Sequence, residues 1–251
     1  MAESRKLVLT AKWDRTRGRP EPIAALNRIP ERENGEPLVD LREHAPSVRI
    51  GRPQVIPYVR RQVAEMIERA ARKLPSGLYL GVVEGWRPLD RQQRIFDFVM
   101  ESAVEAFPDR DHAALRRTVC RWVAPTDQKA PPGHCTGAAV DVNLQDEAGE
   151  VIDVSAPYVR HSSARTFTLG LTEEAQRMRM LLYETMTSEG FSNCRDEWWH
   201  YSYGDAGWAV RLDKPECFYG HIELEPELYL EQEKLAAEAM RERTNPFLQK
   251  D

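Results

Sequence analysis

One acidic residue within an apolar run, Asp141, constrains the fold of this chain more than any other feature. Small or polar residues alternate with larger apolar residues over positions 139–144, which is typical of a strand with one polar face. A lone carboxylate buried in such a strand costs free energy unless it is paired or bound to a metal. His134 lies just before the strand, and Gly137 lets the backbone turn closely between them. His134 and Asp141 can therefore converge on one ion. Alternatively, Asp141 accepts a backbone hydrogen bond and His134 lies at the surface.

A second segment, Glu-Trp-Trp-His at 197–200, adds an imidazole and another carboxylate. Alternation along a predicted strand at 199–203 places His200 on a polar face and the aromatic residues on the other. Strand parity would then put Glu197 and His200 on opposite faces. Both can face one site only if Glu197 lies on a bend or bulge before the strand. Otherwise Glu197 is a solvated acid in a charged cluster, and His200 is a hydrogen-bonded core histidine.

Together the two segments have the composition of a hydrolytic zinc site. Such a site needs three protein ligands, an open position for water and a nearby base. His161 lies in a loop rich in Ser and Arg that can approach this site. The remaining histidines are expected at the surface: His44, His112 and His221.

Arg87 follows an apolar stretch, 78–83, that predicts a buried strand. Pro88 disfavours helical backbone at the residue before it. An arginine at the end of a buried strand often faces a cleft, and its planar fork suits an oxyanion or a substrate carboxylate. The alternative is a structural ion pair, for example with Glu84 or Asp90.

Apolar periodicity predicts four helices around these strands. Asp90 and Gln93 have the spacing of a capping box for the second, and Asp111 is the expected cap of the third. The predicted ranges are 59–74, 90–107, 111–122 and 172–189. The fold class that follows is α+β. We expect a single domain in which helices flank a small antiparallel sheet that carries the zinc site.

The length of 251 residues suits one main domain. Residues 1–35 are rich in charge, Pro and Gly and predict an extended lead-in, 36–222 form the main domain, and 223–251 form a charged, helix-prone tail. A net charge of −5 gives no reason to expect nucleic acid. No apolar run suits a membrane span or a signal peptide, so we expect a cytoplasmic protein. Its oligomeric state is not predicted. The cysteines are expected to be reduced: Cys120, Cys135, Cys194 and Cys217.

The motifs together resemble those of the zinc D-alanyl-D-alanine dipeptidases and their DD-carboxypeptidase relatives, which share a fold with the Hedgehog signalling domain. The similarity covers roughly residues 37–210 and rests on aromatic-Arg-Pro, His-x-x-Gly-x-Ala-x-Asp and Glu-x-x-His. It implies Glu197 as the general base and Arg87 as the group that stabilises the oxyanion. It implies these ligands for one zinc ion per chain: His134, Asp141 and His200.

One departure from the family pattern bears on the substrate. The dipeptidases usually have Asp-x-Gly-Thr-x-Phe-Asp after the ligand strand, and its last Asp resembles an anchor for the substrate's ammonium group. In the corresponding run, Ser155 replaces the Gly and Val159 replaces the anchoring Asp.

The resemblance implies hydrolysis of D-alanyl-D-alanine or a similar small dipeptide. An alternative with the same chemistry, which Val159 favours, is a zinc amidase for an N-modified dipeptide or a specialised metabolite. The third hypothesis is a non-catalytic zinc-binding domain. Glu197 and Arg87 argue against it, because a structural zinc site needs neither.

Overall fold

The computed structural model describes residues 13–157 and 161–248. Its helices are α1 (Ile23–Leu26), α2 (Leu41–His44), α3 (Arg61–Arg72), α4 (Leu89–Ala106), α5 (His112–Val119), α6 (Glu173–Thr187), α7 (Ala206–Leu212) and α8 (Leu230–Arg241). Its strands are β1 (Leu38–Asp40), β2 (Arg49–Ile50), β3 (Tyr58–Arg60), β4 (Tyr79–Glu84), β5 (Ala139–Gln145), β6 (Ser192–Asn193) and β7 (His200–Ser202).

A five-stranded sheet in the order β2-β4-β5-β7-β6 organises the molecule, and β1 and β3 form a separate antiparallel pair. The main sheet is antiparallel except for β2, which pairs with β4 in parallel. Asp141 on the central strand pairs with Glu84 of β4 on one side and with His200 of β7 on the other. The predicted α+β fold is confirmed, and the register of the sheet brings residues of two distant motifs side by side.

The helices α3 and α6 cover the main apolar core beside this sheet. Helix α3 buries a continuous stripe that includes Met66 and Ile67, and α6 buries residues such as Leu182. As expected, α6 begins directly after Thr172, whose hydroxyl caps it by accepting from the Ala175 N–H at 3.1 Å. A second, smaller core joins α4 to α5.

Three details of the predicted helices were wrong. The capping box at Asp90 is absent, because Pro88 provides the start of α4 and no side chain caps it; Asp90 lies within the first turn and pairs with Arg94 at 2.7 Å. Val59 belongs to strand β3 rather than to the first predicted helix. Asp111 does cap α5, which ends earlier than predicted, at Val119.

Buried Arg60 ties the N-terminal segment to the rest of the chain. Its side chain is 1% exposed, and its two terminal nitrogens donate to both carboxylate oxygens of Glu33 at 2.9 and 3.0 Å. The same guanidinium reaches the carbonyls of Thr136 and Gly220. Among the described residues, no helix is both long enough and apolar enough to span a membrane.

The Arg60–Glu33 pair yields a stability prediction. We expect Glu33→Ala to lower the free energy of unfolding by roughly 2 kcal/mol, below the value for a fully buried pair because Glu33 is one-third exposed. Urea denaturation measures this. The exposed Glu43→Ala is the control and should change stability by less than about 0.5 kcal/mol. Equal effects of the two substitutions would contradict the prediction.

Candidate metal centre

Three side chains meet at the middle of the main sheet. The potential ligand atoms of His134, Asp141 and His200 all lie within 4.8 Å of one another. One oxygen of Asp141, Oδ1, is 3.3 Å from Nε2 of His134 and 2.9 Å from Nδ1 of His200. The two imidazole rings are 5.0 Å apart between centroids, at an angle of 75°. The structure thus brings together the three residues that the sequence singled out.

A tight turn before β5 delivers His134. The turn Gly133–Thr136 is a 3-10 helix, and it ends at Gly137, whose φ is +69°. A Cβ atom on Gly137 would meet the Leu38 side chain at 2.3 Å, so the turn requires glycine for both conformation and space. Nδ1 of His134 lies 2.9 Å from the carbonyl of Gly85. Because a carbonyl only accepts, Nδ1 carries the proton, and Nε2 is the nitrogen available to a metal.

Asp141 remains ionised at this site. Burial raises the pKa of the Asp141 carboxyl, but the charges and hydrogen bonds of His134 and His200 outweigh burial and hold that pKa well below its usual range. A largely buried carboxylate that stays anionic beside two imidazoles is a suitable ligand for a divalent cation.

Glu197 lies in the turn between β6 and β7, before His200 begins the strand. The turn is closed by backbone bonds from Glu197 N–H to the Cys194 carbonyl and from His200 N–H to the Glu197 carbonyl. The carboxylate Oε2 of Glu197 is 3.9 Å from Nδ1 of His200. Strand parity required such a bend, and the structure has it. The neighbouring acid Asp196, and not Glu197, pairs with Arg195, at 2.7 Å.

The environment of Glu197 raises the pKa of its carboxyl. Burial raises the pKa of Glu197 to about 8, with further contributions from the negative charges of Asp141 and Glu21, while Arg87 and Arg211 act in the opposite direction. A carboxyl whose pKa lies near neutrality can both accept and donate a proton, which is the property of a general acid–base group.

Arg87 is attached to the same centre through the backbone, since its N–H donates to the carbonyl of His134 at 3.2 Å. Its Nε donates to Glu84 at 3.1 Å and one terminal nitrogen, Nη1, donates to Gln92 at 2.7 Å. The ion pair with Glu84 that the sequence offered as an alternative is present. Burial lowers the pKa of Arg87, but Glu84 and Asp141 outweigh it and raise that pKa, so the guanidinium stays charged.

Three supporting residues were not assigned a role at the site from sequence: Gly85, which orients His134, and Glu84 and Gln92, which hold Arg87. Glu84 had appeared only as a possible partner of a structural ion pair. No sequence signal singles out Gln92, which is a polar residue on the buried side of α4.

The set of donors suits zinc, which binds imidazole nitrogen and carboxylate oxygen in sites with three protein ligands. Cys135, next to His134, is not part of the cluster formed by the described residues. Burial raises the pKa of its thiol to about 12, so it stays protonated and is a poor ligand. His161 begins a short 3-10 turn, His161–Ala164, and its approach to the site stays a prediction. Val159 falls outside the described residues.

Comparison with known proteins identifies the family. A family model described as D-ala-D-ala dipeptidase matches residues 54–219. A D-alanyl-D-alanine dipeptidase of Synechocystis sp. is 28% identical over 245 residues, covering 80% of this chain and 98% of the relative. A D-alanyl-D-alanine dipeptidase of Escherichia coli is 28% identical over 145 residues, covering 57% of this chain and 65% of the relative. With a match over most of its length, the chain belongs to the D-ala-D-ala dipeptidase family, whose members are zinc-dependent metallopeptidases.

Proposed function

We propose that this protein hydrolyses the peptide bond of a small dipeptide, D-alanyl-D-alanine or a similar compound, with zinc held by His134, Asp141 and His200. The observation that carries the proposal is the Glu197 carboxyl, 3.9 Å from a nitrogen of His200, beside three converging potential ligands. Zinc bound there supplies a Lewis acid that polarises a carbonyl and lowers the pKa of water.

Glu197 is the proton carrier in this proposal. Its carboxylate takes a proton from the attacking water and passes that proton to the nitrogen of the leaving amine. The turn that places Glu197 ahead of β7 lets it face the site together with His200. Its raised pKa matches a group that must gain and lose a proton in one turnover.

Arg87 supplies positive charge to the oxygen on which negative charge develops. Its Nε and Nη1 atoms are held by Glu84 and Gln92. The Nη2 atom takes part in neither of these contacts and is the donor that we assign to the substrate. A donor held in place before reaction stabilises the transition state without the cost of reorganisation.

Zinc content tests the ligand assignment. We expect about one zinc ion per wild-type chain and a large loss of zinc in His200→Ala, because two ligands hold the ion less tightly than three. Elemental analysis of the purified proteins measures this. His221→Ala is the control, since His221 pairs with Glu223 and is outside the cluster. A fully active wild type without metal would end the proposal.

Glu197→Gln tests the proton carrier. The amide keeps the size of the side chain but cannot accept the proton, so we expect kcat to fall on the order of 10²–10⁴-fold while zinc content and circular dichroism stay unchanged. Near-normal turnover would assign the proton transfer to another group.

Arg87→Lys tests the oxyanion role. The lysine keeps the charge but loses the planar fork, so it should not restore activity. We expect the loss in kcat, at roughly 2.7–4 kcal/mol if Arg87 acts as an oxyanion-hole donor. A change confined to KM would instead indicate uniform binding of the substrate, for example of its carboxylate.

Val159 separates a dipeptidase from an amidase for N-modified dipeptides. A buried ammonium without a partner costs several kcal/mol, so without an acid at this position we expect weak cleavage of free D-alanyl-D-alanine. Val159→Asp should raise that activity relative to the N-acyl compound. The measurement is kcat/KM for both substrates with both proteins. Efficient cleavage of the free dipeptide by the wild type, unaffected by the substitution, would contradict this and restore the ordinary dipeptidase.

A further inference from the structure

The segment that leads into the C-terminal helix contacts the segment that carries Arg87, although it lies beyond the residues that match the family model. The indole N–H of Trp86, the residue before Arg87, donates to the carbonyl of Ile222 at 3.0 Å. The Trp86 ring also contacts the ring of Tyr229 edge to face, with centroids 5.1 Å apart. Helix α8 begins at the next residue, and its Glu233 reaches the first turns of α4.

Glu233 of α8 meets two arginines of α4. One carboxylate oxygen accepts from Nε of Arg91 and the other from a terminal nitrogen of Arg94. The side chain of Arg91 is 5% exposed and that of Glu233 is 16% exposed. This is a largely buried ion pair between an element inside the family match and an element outside it.

The same Arg91 reaches the carboxylate that orients Arg87. Oε1 of Glu84 accepts from Nε of Arg87 at 3.1 Å and lies 3.6 Å from Nη1 of Arg91. Charges therefore alternate in sign from Arg87 through Glu84 and Arg91 to Glu233, and the two arginines share one oxygen of Glu84.

Arg91 would compete for Glu84 if its own anion were removed. Its Nη2 atom is buried and has no hydrogen-bond partner among the described residues, while its Nη1 atom donates to the Gln54 carbonyl at 3.2 Å. Without Glu233, the buried guanidinium keeps its charge, and the nearby carboxylate able to neutralise it is Glu84. A closer approach of Arg91 to Glu84 Oε1 weakens the bond that holds Arg87 Nε.

We propose that Glu233 is a positioning residue for Arg87: from α8 it binds Arg91 of α4, so that Glu84 remains available to orient the Arg87 guanidinium toward the substrate. This rests on the role of Arg87 in the proposed function. It gives the C-terminal helix a part in turnover that the matched region alone does not contain.

The first test is kinetic and uses the full-length, zinc-loaded protein with D-alanyl-D-alanine, or its N-acyl form if that is the better substrate. We expect Glu233→Gln to lower kcat about 10-fold, less than the roughly 10²-fold that a 1 Å misplacement can cost, with KM and zinc content little changed. Glu233→Asp should restore part of the loss. Glu238→Gln, on an exposed position of the same helix, is the control and should leave kcat unchanged.

A double-mutant cycle distinguishes positioning from a general effect on the fold. If Glu233 acts through Arg87, Glu233→Gln should cause no further loss of kcat in the Arg87→Lys protein. The second readout does not need turnover. The ¹⁵N–¹H resonance of Arg87 Nε, identified by its absence in Arg87→Lys, should shift in Glu233→Gln and stay in place in Glu238→Gln.

An unchanged kcat together with an unchanged Arg87 resonance would overturn the proposal, as would the same loss of kcat in both backgrounds of the cycle. If the wild type cleaves neither dipeptide, the proposed function fails, and the resonance alone decides whether Glu233 controls the position of Arg87.

Discussion

The largely buried carboxylate of Asp141 is the constraint on which the rest of this structure depends. It lies on the central strand of a sheet, where an unpaired anion would be strongly destabilising. The protein compensates by directing two imidazoles at one of its oxygens, at 2.9 and 3.3 Å. Those imidazoles come from segments on either side of β5 in the sequence, so the fold must bring both to the same point. The same three donors make the site suitable for zinc.

Tight turns and backbone hydrogen bonds of the surrounding elements position these donors and the residues beside them. The turn at Gly137 delivers His134, the hairpin before β7 turns Glu197 toward the site, and the Arg87 N–H binds the carbonyl of His134. Asp141 lies within β5 and is paired on both sides, whereas His134, Glu197 and Arg87 lie in turns or connections beside the strands. The sheet is thus a rigid support, and the turns beside it carry the polar side chains.

Much of the site was predictable from sequence because its determinants are local. Alternation around Asp141 indicated a strand that carries an acid, and parity required Glu197 to lie on a bend before His200; the structure has both, and the side chain of Asp141 is largely buried. Local patterns were less reliable where two signals competed. Asp90 had the right spacing for a cap, but Pro88 two residues earlier already has the extended backbone that precedes a helix.

Contacts between distant segments could not be derived from the sequence. Gln92 holds Arg87 only because α4 turns it inward, and Glu233 meets Arg91 across 142 residues of chain. Neither has a sequence signal of its own, since each is one polar residue in a helix rich in charge. Such contacts depend on tertiary packing, which the periodicity of apolar residues along the sequence does not reveal.

The most direct test of the central claim is an anomalous-scattering map of the zinc-loaded protein, recorded at the zinc absorption edge. We expect one peak per chain, bound by Nε2 of His134, Nδ1 of His200 and the carboxylate of Asp141 at about 2.0–2.2 Å, with Glu197 nearby but not coordinating. A peak elsewhere in the protein, or an ion that takes Glu197 as a ligand in place of Asp141, would contradict it.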